Sequence, residues 1–142
     1  MRTVGDLIKT RSFFAAIVDQ TVFEAALYMA EKDIGALPVL DQNRLAGVFS
    51  ERDIIKRVVV PQKDVRKTSI RDVMTTDLVV AESTEEISDV LEKMRQHHCR
   101  HMPVVSGERL VGFLSLRDLL SADLEEKDAQ VQQLNSYIYY AV

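Results

Sequence analysis

The sequence predicts an α+β fold: two β-α-β-β-α repeats packed about a pseudo-twofold axis, with a further helix at the C-terminus. Two observations predict it. Sliding residues 21–53 forward by 65 positions superposes nine identities: Met29/Met94, Pro38/Pro103, Val39/Val104, Arg44/Arg109, Leu45/Leu110, Gly47/Gly112, Ser50/Ser115, Arg52/Arg117 and Asp53/Asp118. About two would coincide by chance. Hydrophobic periodicity then reads strand, helix, strand, strand, helix in each copy. A lead-in repeats as well, one residue out of step, with Thr3-Val4-Gly5-Asp6-Leu7-Ile8 resembling Ser69-Ile70-Arg71-Asp72-Val73-Met74. The units run over 1–60 and 66–122, and a helical tail over 123–142. A unit of this size buries little surface alone. The two therefore pack sheet against sheet and leave paired clefts between them.

Each element follows in order. The apolar runs 13–18 and 78–81 predict short buried strands. Val22, Ala25, Ala26 and Met29 recur at helical spacing, as do Ile87, Val90, Leu91 and Met94. Asp19 or Thr21 is placed to cap the first helix, and Ser83 with Glu86 forms a capping box for the second. Leu37-Pro38-Val39-Leu40 and Met102-Pro103-Val104-Val105 predict strands with proline near the start, where its missing donor is tolerated. Turns at Asp41-Gln42-Asn43 and Ser106-Gly107-Glu108 lead into the strands 45–49 and 110–114, completing hairpins. Short helices start at Ser50 and Ser115. The stretch 56–71, with Lys63, Arg66 and Lys67, is a basic, solvated connector. In the tail, Leu120, Leu124, Val131, Leu134 and Ile138 fall near helical spacing, interrupted by charge at 125–128 and followed by Tyr139 and Tyr140 beside Tyr137. An apolar stripe of that length needs a cover, and a second copy of the chain is the favoured one.

Composition narrows the function classes. The 142 residues are 46% hydrophobic and 28% charged, with a net charge of −4, which disfavours a broad nucleic-acid surface. No run approaches the roughly 20 apolar residues that cross a bilayer, and the opening residues do not read as a signal peptide. The single Cys99 suits a reducing compartment. A cytoplasmic protein without membrane or nucleic-acid contact is expected.

The residues that carry chemistry sit in one repeated phrase, Gly47-Val48-Phe49-Ser50-Glu51-Arg52-Asp53 and Gly112-Phe113-Leu114-Ser115-Leu116-Arg117-Asp118. Ser-x-x-Asp is in itself a good helix start, since serine caps free amides and the acid complements the dipole. The same corner also suits recognition: a carboxylate there accepts both hydroxyls of a ribose, while serine and free amides meet sugar or phosphate oxygens. Both readings stay open on the residues alone.

With its β-α-β-β-α order, its Leu/Met-Pro-Val strand and its Gly-h-h-Ser-x-x-Asp ending in two copies, the chain resembles a tandem cystathionine-β-synthase (CBS) domain pair over residues 3–121. The resemblance implies a regulatory module that binds AMP, ADP, ATP or an S-adenosyl compound in two inter-repeat clefts. Carried over, it implies a first site of Ser50, Arg52 and Asp53 with Val79, Val80, Arg100, His101 and Met102. It implies a second of Ser115, Arg117 and Asp118 with Ala15, Ala16, Gly35, Ala36 and Leu37. Arg100 and His101 offer phosphate donors and Gly35 and Ala36 offer none, so a phosphorylated nucleotide should prefer the first. Arg52 and Arg117 are left open between solvent, phosphate and a partner's carboxylate.

No catalytic residues are assigned. Asp53 and Asp118 stand one per unit with no His or second acid repeated beside them, and the phosphate loop Gly-x-x-x-x-Gly-Lys is missing from a chain with five glycines. His97-His98-Cys99-Arg100-His101 is read as a solvated helix end entering a strand and not as a metal site, because it lacks a second ligand cluster. No cofactor is required beyond the nucleotide or S-adenosyl compound as regulatory ligand. A homodimer and an effector protein are the expected partners. The competing reading is a ligand-free structural or dimerisation module.

Overall fold

The computed structural model describes the backbone of residues 2–141 and the side chains of residues 2–136. The first repeat holds α1 (Val4–Ile8), β1 (Ala16–Ile17), α2 (Val22–Lys32), β2 (Ala36–Asp41), β3 (Arg44–Ser50) and α3 (Glu51–Asp53), which widens into a π-helical turn over Ile54–Val59. After a 3-10 turn at Ile70–Asp72, the second repeat holds β4 (Ala81–Glu82), α4 (Ile87–His97), β5 (His101–Ser106), β6 (Arg109–Ser115) and α5 (Leu116–Ala141).

The duplication is reproduced down to register. β1 runs parallel to β2, pairing Ala16 with Val39, and β4 runs parallel to β5, pairing Ala81 with Val104. β2–β3 and β5–β6 are antiparallel hairpins, and each shifts register at the matching place, Val39/Leu40 and Val104/Val105. The first hairpin turns through Gln42 and Asn43 at φ 50° and 67°, the second through Gly107 at φ 63°, left-handed geometry that suits tight hairpins. α2 and α4 end on left-handed Asp33 and His98, again 65 positions apart.

The lead-ins cross over. Val4 and Leu7 belong to the core built from the second repeat, with Ile87, Val90, Met102, Leu114 and Leu119. Ile70, Val73 and Met74 belong to the first, with Val22, Leu37, Val39 and Phe49. The repeated glycines explain themselves here. A Cβ on Gly47 would stand 2.7 Å from the Met74 sulfur, and one on Gly112 2.6 Å from Ile8. Each lead-in thus passes over the other repeat's sheet at its one bare position.

Three local expectations are corrected. The ladders of β1 and β4 are two residues long, because the preceding residues of the runs 13–18 and 78–81 leave the sheet; Leu78 and Val79 turn to line a cleft. Ser83 does not cap α4. The helix starts at Ile87, whose amide donates to the Arg2 carbonyl at 3.1 Å, while the Ser83 carbonyl accepts from Gly5 at 2.8 Å, so the crossing lead-in takes over the helix start. Thr21 does cap α2, accepting from Glu24 at 3.1 Å. No short helix ends before the tail: α5 is one helix of 26 residues. The charges at 125–128 do not interrupt it, since Lys127 reaches back one turn to Asp123 at 2.9 Å, a spacing that supports a helix. Of the tail residues singled out above, the side chains of Tyr137, Ile138, Tyr139 and Tyr140 lie outside the described residues.

Candidate functional site

The site grows from the β3–α3 corner. Ser50 is extended at φ −126° and begins the helix. Its amide donates to Asp53 Oδ2 at 2.9 Å, its hydroxyl donates to the same oxygen at 3.1 Å, and the Asp53 amide donates back to Ser50 Oγ at 3.3 Å. The second carboxylate oxygen, Oδ1, accepts from the Thr75 hydroxyl at 2.9 Å. Thr75 is carried there by the crossing lead-in, which pairs with Val48 through two backbone bonds of 2.9 Å. Arg57 adds its Nε at 3.7 Å and fixes its guanidinium on the Met74 carbonyl at 2.8 Å. Asp53 is 5% exposed, the only buried charged residue among the described residues. A charge so placed must be satisfied, and here it is.

Asp53 forms part of the wall of a cleft of about 410 Å³, within the range of small-molecule sites. One wall comes from the first repeat: Gly35, Val48, Ser50, Glu51, Arg52 and Asp53. The other comes from the second: Thr75, Asp77, Leu78, Val79, His97, His98, Cys99, Arg100, His101 and Pro103. Ser50, Arg52, Asp53, Val79, Arg100 and His101 are therefore brought together. Val80 and Met102 are not among the lining residues. Met102 is fully buried in the second core, because strand alternation turns it inward while His101 and Pro103 face the cleft. The Val80 carbonyl accepts from Lys93 Nζ at 3.0 Å.

The second set of residues is dispersed. Ser115 and Asp118 repeat the corner, with the Ser115 amide on Asp118 Oδ2 at 2.8 Å and the Asp118 amide on Ser115 Oγ at 3.1 Å. Arg117 is exposed beside them. Ala16, Ala36 and Leu37 are buried. Ala15 lines a shallow groove with Gln20, Glu24, Leu27, Tyr28 and Glu31 on the outer side of α2. Gly35 stands in the first cleft, where its carbonyl accepts from the Glu51 amide at 3.0 Å. Asp118 instead meets Arg11, at 3.1 Å.

Electrostatically the first cleft is mixed. Glu51 and Asp53 stand with Arg52 on one wall, and Asp77 with Arg100 and three histidines on the other. Burial pushes the His101 imidazole below its ordinary pKa; the Glu51 and Asp118 carboxylates pull it back up and Arg100 pushes it down. Its ring lies parallel to Phe113 with centroids 5.5 Å apart. Burial raises the Cys99 thiol, which keeps it protonated at neutral pH. Thr75, Asp77 and Glu51 are not among the site residues expected from the sequence, whereas His97 and His98 end α4 exposed, as expected, while also lining the cleft. The lead-in repeat is legible in the sequence, but its crossing, which pairs Thr75 with Val48, is not. Among the described residues no group of three His, Cys, Asp or Glu side chains converges as a metal site, and no helix is long and apolar enough to cross a membrane.

The CBS domain family model matches the chain twice, over residues 4–60 and 70–125. The chain belongs to the CBS domain family. As a CBS pair it is similar to the CBS domain-containing protein YhcV of Bacillus subtilis, at 34% identity over 111 residues, covering 78% of this chain and 79% of that one. A crystal structure of CBSX2 in complex with AMP superposes with a TM-score of 0.76 at 25% identity, covering 89% of this chain and 99% of that one. Hypoxic Response Protein I, from Mycobacterium tuberculosis and bearing two coordinated zinc ions, superposes with a TM-score of 0.75 at 29% identity, covering 86% and 99%. CBS pairs are regulatory ligand-binding modules. In this CBS pair the cleft is lined by carboxylate acceptors together with guanidinium and imidazole groups.

Proposed function

We propose that this CBS pair is a regulatory sensor that binds an adenosine-type ligand in the first cleft and signals to an effector protein. AMP, ADP, ATP and S-adenosyl compounds are the candidate ligands. The observation that carries the reading is Asp53, a nearly buried carboxylate in a cleft wall, held by Ser50 of one repeat and Thr75 of the other. A ribose presents two adjacent hydroxyls to such an acceptor, and Arg52, Arg100 and His101 are the phosphate donors. Val79 packs against the ligand. The AMP complex of CBSX2 supports the ligand class. A ligand touching walls from both repeats favours one relative arrangement of the halves, and it shifts the equilibrium by its difference in affinity for the two arrangements.

The working form is a cytoplasmic homodimer. Ile55 and Val59 are exposed on the helix after Ser50, and Leu120 and Leu124 are exposed at the matching positions after Ser115. Four apolar side chains repeated by the pseudo-symmetry make a surface for a second copy.

Thermal melting with each nucleotide tests the sensor. A ligand at 100 times its Kd adds about 2.7 kcal/mol to native stability, so AMP should raise the Tm of the native chain. Asp53→Ala should weaken AMP by roughly tenfold or more, the worth of hydrogen bonds to a charged group. One specific feature favours a ligand-free structural module instead, namely that Ser50 and Asp53 satisfy each other within the helix cap. An unchanged Tm with AMP, ADP, ATP and S-adenosylmethionine decides for that module.

A further inference from the structure

We propose that Arg11 closes the second inter-repeat corner by occupying Asp118, so that the chain takes up one nucleotide and not two; this rests on the nucleotide reading of the first cleft. The two acidic corners share the serine amide bond to Oδ2 and the aspartate amide bond to the serine hydroxyl, and they differ in what meets Oδ1. At Asp53 that partner is the neutral hydroxyl of Thr75, 2.9 Å from Oδ1; the Arg57 guanidinium stands farther off, with Nε at 3.7 Å, and donates its hydrogen bond to the Met74 carbonyl. At Asp118 it is the guanidinium of Arg11, 3.1 Å from Oδ1. Both partners follow a lead-in that has crossed from the other repeat, Thr75 directly and Arg11 three residues after Ile8. The Asp118 side chain is 31% exposed against 7% for Asp53, so the corner is reachable, and Arg11 lies over it.

The difference matters for a sugar. Ribose hydroxyls are donors and need a carboxylate oxygen with acceptor capacity left. A threonine hydroxyl is itself donor and acceptor, so it can rotate and join the network a ribose brings. An arginine has donors only, and its charge-assisted bonds are roughly twice as strong as neutral ones. A ribose at Asp118 must displace it. The first corner thus accepts a sugar, whereas the second carries its own cation in the sugar's place. Arg11 is a specificity-determining residue that acts by exclusion.

Calorimetric titration of the native chain and of Arg11→Ala with AMP, repeated with adenosine, tests this. Arg11 is exposed, so the variant keeps the core. The native chain should bind one AMP per chain. Arg11→Ala should bind two, and the double variant Arg11→Ala with Asp118→Ala should return to one. A ratio of two in the native chain, or a ratio of one in Arg11→Ala, overturns the inference while leaving the first cleft a nucleotide site. Heat from neither ligand in any of the proteins sinks the nucleotide reading itself, and the exclusion role with it.

Discussion

Burying the Asp53 carboxylate is tolerable because two donors from Ser50, the Thr75 hydroxyl and the nearby Arg57 cation surround it. His101 on the opposite wall meets burial differently, by staying neutral. The consequence is a pH dependence whose sign can be worked out. Burial lowers the folded pKa below the ordinary value of 6.5, so at lower pH the unfolded chain holds more protons on this group than the folded one. That contribution makes stability fall as pH drops through about 6.5 and below. A phosphate beside the ring would favour the imidazolium, so AMP bound as proposed should take up a proton. The AMP-induced rise in Tm should therefore grow between about pH 7.5 and pH 6 in the native chain. It should grow less in His101→Gln, where the titration of the AMP phosphate itself is unchanged. Parallel profiles for the two proteins would remove His101 from the phosphate.

The elements owe their placement to the crossing lead-ins. Gly112 is bare because Ile8 passes within 2.6 Å of where its Cβ would be, and Gly47 because Met74 and Thr75 do the same. Gly112→Ala should cost about 1–3 kcal/mol, the usual penalty for overpacking a filled site. Urea denaturation with Gly107→Ala as comparison checks it, since no atom stands within 4 Å of a Cβ at Gly107 and only its φ of 63° is strained. A loss at Gly112 no larger than about 1 kcal/mol, the scale of left-handed strain alone, would refute the close packing. At this scale the sequence was legible where it was local. Helical spacing found α2 and α4, the Asn43 and Gly107 turns found both hairpins, and Ser-x-x-Asp found the two corners. It was illegible where a distant segment intervened. Arg2 and Gly5 set the start of α4, so the local Ser83–Glu86 signal was overruled by residues more than 75 positions earlier.

For the whole molecule, the duplication made the architecture readable, because identities in register imply a common fold whatever the details. At the sites the halves are unlike, as the contrast of Arg100 and His101 with Gly35 and Ala36 leads one to expect: Asp53 meets Thr75 and Asp118 meets Arg11, and Gly35 stands in the first cleft with its counterpart Arg100. The same symmetry leaves Ile55, Val59, Leu120 and Leu124 exposed. Ile55→Asp with Leu120→Asp should turn a dimer into a monomer of half the mass in light scattering. A mass unaffected by the pair of charges would mean that this surface holds no second copy.

The exchange of lead-ins has a further consequence. Ile70, Val73 and Met74 complete one hydrophobic core and Val4 and Leu7 the other, so each half lends the other a piece it cannot replace. The two halves should therefore melt together in a single transition, and a small molecule seated at one corner should steady both.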